Sequence, residues 1–286
     1  MRKRSYGRII LLGLAMLVIT APASYAALYE VQQDFSWWNR DTLNLGQYEP
    51  GSLMATHGSG PVAAVISFMY LQYMYPEVYG TYLVTNPLVD AVILAGPSYM
   101  NTGWSGTWVR DCLWGQQLYI EDRLSGRTVY LGQAVPQGLY SESNPGGWTQ
   151  TRDQPSWLTE GNPTWQFIVQ ELLQGKNVEL SLRVGEGESY YVTATGISFD
   201  DRDGDLMVDD VEGARISFID PATGLLSSSQ IWQSGNGELL ETDFASGCFI
   251  TMAASEGPVP LPSTLVLVGS GALGLLGWRW PRRARR

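Results

Sequence analysis

The sequence predicts an α+β fold, on three observations. Three apolar segments with helical spacing lie in the first part of the chain. From Asn177 the spacing changes to alternation of apolar and polar residues, the mark of half-buried strands. Between the two regimes, residues 130–156 are rich in Gly, Pro, Ser and Asn and read as loop. Helices followed by strands imply an antiparallel sheet with helices packed on one end or face.

The elements follow in order. Residues 27–48, with "FSWWNRDTLNLGQY", read as aromatic, polar and irregular. Pro61–Tyr75 reads as a buried helix: Pro61 suits the first helical position, apolar residues cover most of the surface, and Ser59 is placed as its N-cap. Thr107–Arg123 is a second helix, carrying Trp108, Cys112, Leu113, Leu118 and Tyr119. Asn162-Pro163 starts a third, which runs to about Leu173. The strands expected after it are "VELSLRV", "YYVTATGISF", "ARISFID", "SSQIW" and "CFITMAA".

The two ends have their own logic. Arg2, Lys3, Arg4 and Arg8 precede the apolar run Ile9–Ile19, and Ser24 and Ala26 are the small residues a signal peptidase requires. Residues 1–26 therefore read as a secretory signal peptide cut after Ala26. The last residues read "VPLPSTLVLVGSGALGLLGWRWPRRARR". Two prolines stop the preceding structure. A Gly- and Leu-rich apolar run follows, with a helix expected at about 264–280, and the arginine cluster that ends the chain would stay on the cytoplasmic side. The uncharged run is shorter than the ~20 residues of an ordinary span, which suits a sorting tail that anchors transiently. The boundaries are then 1–26, a body of 27–256 and a tail of 257–286.

That tail resembles the PEP-CTERM sorting signal, with Val259-Pro260-Leu261-Pro262 as its proline motif and Leu261 where the name-giving Glu would sit. The resemblance implies export, processing by an exosortase, and a place at the envelope, outer surface or extracellular matrix of a polysaccharide-producing bacterium. "LPST" also begins like a sortase signal, but Leu265 stands where its Gly belongs.

Nine of the 18 Lys+Arg lie in the two ends, leaving nine against 28 Asp+Glu in residues 27–258, a net charge of −19. Such a body excludes phosphate-backbone binding and so a nucleic-acid partner. Cys112 and Cys248 are the only cysteines. Export permits a disulfide, and two buried thiols are the alternative. Their spacing makes no zinc site.

Within the body, "SGPVAAVISFMYL", "YYVTATGISFD" and "ISFIDPATG" stand at Ser59–Leu71, Tyr190–Asp200 and Ile216–Gly224. In order and spacing they resemble the papain-like peptidases of the bacteriocin-leader-processing, peptidase C39-like type. The resemblance implies a papain-like cysteine-peptidase fold with degenerate chemistry. Ser59 would replace the nucleophilic Cys, Tyr190 the His, and Asp220 alone would match. Tyr190, with an ordinary pKa near ~10, is a poor base. His57, the only histidine, is two residues from Ser59, whereas such bases come from a distant segment. The reading is a pseudo-peptidase that binds a peptide or polysaccharide or plays a structural part. The alternatives are a divergent hydrolase or peptidase using Ser59, with His57 or Tyr190 as base, and a calcium-dependent glycan- or peptide-binding surface protein.

"DRDGDLMVDDVE" places Asp201, Asp203, Asp205, Asp209 and Glu212 at positions 1, 3, 5, 9 and 12, the ligand spacing of a calcium loop, although Leu206 takes the position of the turn Gly. A weak Ca²⁺ site in a β-hairpin is expected, against the alternative of a solvated acidic tip. Of nine tryptophans in the body, Trp37, Trp38, Trp104, Trp148 and Trp157 fall in Gly/Ser/Asn-rich segments, where rings either pack loops or stack on a ligand.

Overall fold

Residues that alternate along the second half of the chain do form strands, and their consequence is a barrel. The computed structural model describes residues 27–135, 154–184, 188–202, 213–234, 239–245 and 248–260. In chain order the elements are β1 (Ala27–Gln32), α1 (Leu53–His57), α2 (Ser59–Met74), α3 (Pro76–Tyr79), α4 (Pro87–Ala95), α5 (Val109–Leu124), β2 (Thr128–Ala134) and β3 (Leu158–Glu160). They continue with α6 (Trp165–Leu173), β4 (Asn177–Val184), β5 (Glu188–Asp201), β6 (Arg215–Ile219), β7 (Leu226–Gln233), β8 (Leu240–Thr242) and β9 (Cys248–Pro258).

β4 to β9 pair antiparallel in sequence order, and β9 returns to pair with β4. Closure gives each of those six strands a neighbour on both sides, although Leu226–Gln230 of β7 pair only with β6. The two longest strands carry the remainder. Beyond Ala194, β5 exchanges β4 for β1, and from Met252 β9 exchanges β8 for β2, on which β3 lies parallel.

The barrel interior is the first core. Leu180 and Leu182 of β4, Val192 of β5, Phe218 of β6, Ile231 of β7 and Ile250 of β9 meet there, and α6 adds Trp165, Ile168 and Leu172. Thr164, not Asn162, caps α6, by accepting from the Phe167 N–H at 3.2 Å. The second core lies outside the barrel wall. α2 is apolar nearly all round and is buried between the outer face of β4 and β5 and the helices α4 and α5. Ser59 is the first residue of α2 and Gly58 its cap, so Pro61 sits third and the expected Ser59 capping bond is not made.

These findings correct the expected fold class. The chain does not have the papain-like α+β fold of N-terminal helices on a C-terminal sheet. It is a closed six-stranded antiparallel barrel with three further strands, one of them β1 in the segment read as irregular. Closure rests on the pairing of β4 with β9, which no local pattern encodes. The expected transmembrane sorting helix at about 264–280 lies outside the described residues. Among the described residues no helix is long and apolar enough to cross a membrane.

Candidate functional site

β5 decides the fate of the expected catalytic positions, because consecutive strand residues face opposite sides. Tyr191 faces the helices: its hydroxyl donates to Thr107 O at 2.7 Å, and its ring lies against Gly60 at the start of α2. Tyr190 faces the other way. Its ring stacks on Phe244 at 5.2 Å, beside Phe218 of the barrel core. The Tyr190 hydroxyl donates to the Asp220 carboxylate, and burial and that carboxylate together raise its pKa. Asp220 also accepts from Ala222 N–H and Thr223 Oγ1, both at 2.9 Å, and so organises the turn after β6. The structure thus joins Tyr190 with Asp220, on the opposite side of the barrel wall from Ser59. Ser59 is 8% exposed, and His57, at the end of α1, meets Trp104 edge-on at 5.9 Å.

Of the expected calcium ligands, Asp201 ends β5 opposite Ala27 and is buried. Asp203, Asp205, Asp209 and Glu212 lie outside the described residues. Among the described residues no three His, Cys, Asp or Glu side chains gather closely enough to hold a metal. Cys112 and Cys248 are free thiols, one in each core.

Sequence reasoning missed a buried polar cluster between the barrel and the helices. Gln116 Nε2 donates to Glu179 Oε2 at 2.7 Å, and Cys112 Sγ lies 3.5 Å from Glu179 Oε1. Two rungs away on the same face, Asn177 Nδ2 donates to Glu256 Oε2 at 2.8 Å and to Ser67 of α2. Desolvation pushes the Glu256 carboxyl up to about 7. Desolvation, then the charge of Glu256, pushes Glu179 well above the ordinary carboxylate range. Burial and Glu179 likewise raise the Cys112 thiol, the reverse of what a nucleophilic thiolate needs. Among the described residues, ion pairs reach Glu171 and Asp90 but neither Glu179 nor Glu256. The available signal was an acidic residue inside the apolar alternation of "VELSL".

An open groove lies where α2 stops covering the barrel wall. α2 still covers Thr193, whose hydroxyl donates to Ala63 O at 2.8 Å, and Ile219. Further along the same face, the rung Gln32–Gly196–Ser217–Ser228 runs across β1, β5, β6 and β7, with Gln32 and Ser228 exposed, Ser217 half-buried and Gly196 buried. Gly196 is required there, since a Cβ would stand 2.6 Å from Gln32 Oε1 and from Val31 O. Gln33–Ser36 forms the rim of a groove of about 690 Å³. The loop behind that rim is pinned to the β6–β7 turn by Trp38 Nε1 donating to Gly224 O at 2.8 Å and Leu45 N to Pro221 O at 2.8 Å. A second groove, of about 480 Å³, lies on the far side of the same rim and is walled by Trp37 and Tyr73, whose rings are 5.3 Å apart.

Comparison with protein families adds one finding. Residues 258–283 match the PEP-CTERM protein-sorting motif. The chain therefore carries the signal of exported proteins that an exosortase-type enzyme processes at the cell envelope. No family match supports a peptidase identity for the body, and no curated protein matches the chain.

Proposed function

We propose that the protein is a non-catalytic binding or structural component of the outer surface or extracellular matrix. Signal peptidase removes residues 1–26. The apolar stretch at about 264–280 then holds the chain in the membrane until exosortase processing releases it. The observation that carries this reading is the sorting motif at 258–283, which takes over where the last barrel strand ends at Pro258. The separation of Ser59 from the Tyr190–Asp220 pair supports a non-catalytic role.

The test is mass spectrometry of the protein recovered from its host. Exosortase-competent cells should yield a shortened C-terminus and exosortase-deficient cells an intact one. An intact Arg-rich tail on the exported protein in both would refute the proposal. A fluorophosphonate should leave Ser59 unlabelled; labelling that Ser59→Ala removes would establish a hydrolase instead. We also propose a weak Ca²⁺ site at Asp201, Asp203, Asp205, Asp209 and Glu212, supported by their spacing. Calcium should raise the melting temperature and Asp203→Ala should abolish the rise; no shift at millimolar calcium would count against the site.

A further inference from the structure

The groove beside β1 says which ligand class a binding role would involve. Its floor is the interior of a sheet. The backbone groups of β5 and β6 are engaged in the ladders on either side, so a ligand lying over Ser217 meets side chains there. The lining side chains are short hydroxyls and amides together with Asp34 and two apolar groups, Phe35 and Leu226, the latter 55% exposed. Gln32, Ser217 and Ser228 share one rung, with Gln32 and Ser228 exposed to solvent.

Among the described residues the one charge on the lining is Asp34, an exposed carboxylate on the rim. It accepts from Ser36 N at 3.0 Å and Ser36 Oγ at 2.6 Å, with the Tyr73 hydroxyl at 3.4 Å. The nearest cation on the floor strands is Arg215, whose Nη2 donates to Ser228 Oγ at 3.3 Å. Among the described residues no cation lines the groove, and on a body of net charge −19 this disfavours anionic polymers.

Across the rim the chemistry changes from polar to aromatic. Tyr73 is 46% exposed and is braced by Trp37, which is itself stacked on Phe35 at 5.6 Å. Hydroxyls and amides beside the apolar Leu226 and a fixed aromatic face suit a ligand with hydroxyls on its edges and C–H groups on its faces. A sugar ring presents both.

We propose that the surface formed by Gln32, Asp34, Ser217 and Ser228, together with the Trp37–Tyr73 platform, binds a neutral polysaccharide chain. Asp34 and the rung accept from and donate to sugar hydroxyls, while Tyr73 stacks on a ring face. This inference rests on the binding reading above, but its readout is independent of sorting.

Affinity electrophoresis of the full-length protein in mild detergent, through gels containing hydroxyethylcellulose, galactomannan, dextran or polygalacturonate, tests it. At least one of the three neutral polymers should retard the protein, and polygalacturonate should not. Tyr73→Ala should weaken retardation about fivefold or more, the scale of one lost stacking contact. Ser228→Val should weaken it on its own, and both variants should keep the wild-type melting temperature to within a few degrees. Retardation by none of the neutral polymers, by polygalacturonate instead, or unchanged in both variants, overturns the proposal. So does saturable binding of an alanine-rich decapeptide that Tyr73→Ala abolishes, which would make the surface a peptide site. Each result leaves the processing experiment untouched, so sorting and ligand class fail separately.

Discussion

Replacing Glu256 by Gln should stabilise the protein at pH 8 and change little at pH 5. Glu256 is fully buried and its carboxyl is pushed from 4.5 to about 7 by desolvation. The folded state therefore binds a proton that the unfolded state releases between those two values. Stability from this group is complete below pH 4.5 and is lost as pH rises through about 7. The interval corresponds to about 3 kcal/mol at ~1.4 kcal/mol per pH unit. The amide matches the protonated acid in shape and removes that loss. The cluster can accommodate either form. The carbonyl oxygens of Asn177 and Gln116 are both buried without a partner. A half-turn of each amide, indistinguishable by shape, presents those oxygens to carboxyl protons on Glu256 and Glu179. Urea denaturation of wild type and Glu256→Gln at pH 5, 6, 7 and 8 measures the difference directly. The gap should be small at pH 5 and widen to about 3 kcal/mol at pH 8. A gap that is constant with pH, or that narrows as pH rises, would refute the desolvation argument.

Three further substitutions probe the packing. Gly115→Ala in α5 places a Cβ 2.6 Å from Met100 N and 2.8 Å from Tyr99 C, where backbone must shift, and should cost about 1–3 kcal/mol in denaturant melts. Leu180→Ala empties a fully buried site on the barrel's inner face and should cost about 2–5 kcal/mol with the far-UV spectrum retained. Tyr190→Phe removes the hydroxyl that bridges β5 to Asp220 and to Ala222 N–H. It should cost about 1–2 kcal/mol, while a loss of 0.3 kcal/mol or less would show that the turn holds itself.

The sequence disclosed elements wherever the physics is local. Pro61 and the apolar run after it mark α2, and alternation marks β4, β5, β6, β7 and the start of β9. α4 was equally readable in principle, since Asn86 accepts from Val89 N–H at 3.3 Å and Pro87 opens the helix. β2 also alternates between buried and less buried residues but begins just before a loop-like composition. What no window of sequence carries is the pairing of β4 with β9, about 70 residues apart. Glu179 shows the same limit. Alternation assigns it to the solvent face of β4, and only the arrival of α2 and α5 on that face replaces solvent with a low-dielectric surrounding that raises its pKa.

The peptidase resemblance failed at a more instructive scale, that of one residue. It matched a Gly-Pro helix start, a tyrosine beginning a strand, and an Asp-Pro turn, and each of these exists. It also required Tyr190 to face the helix start. On a strand a one-residue change of phase moves a side chain to the other face. Here β5 pairs Tyr190 with Leu182 and Tyr191 with Ser181 across β4, so Tyr191 meets Thr107 and Tyr190 turns into the barrel. A catalytic triad tolerates displacements well under an ångström, whereas this phase difference places the thickness of a sheet between Ser59 and the Tyr190–Asp220 pair. The phase is set by Val192, Ala194 and Phe218, whose burial inside the barrel is worth more than any single hydrogen bond at Tyr190. Motif order along the chain therefore survived while convergence in space did not, because packing of the barrel interior, not the position of the motif, decides which way each side chain on β5 points.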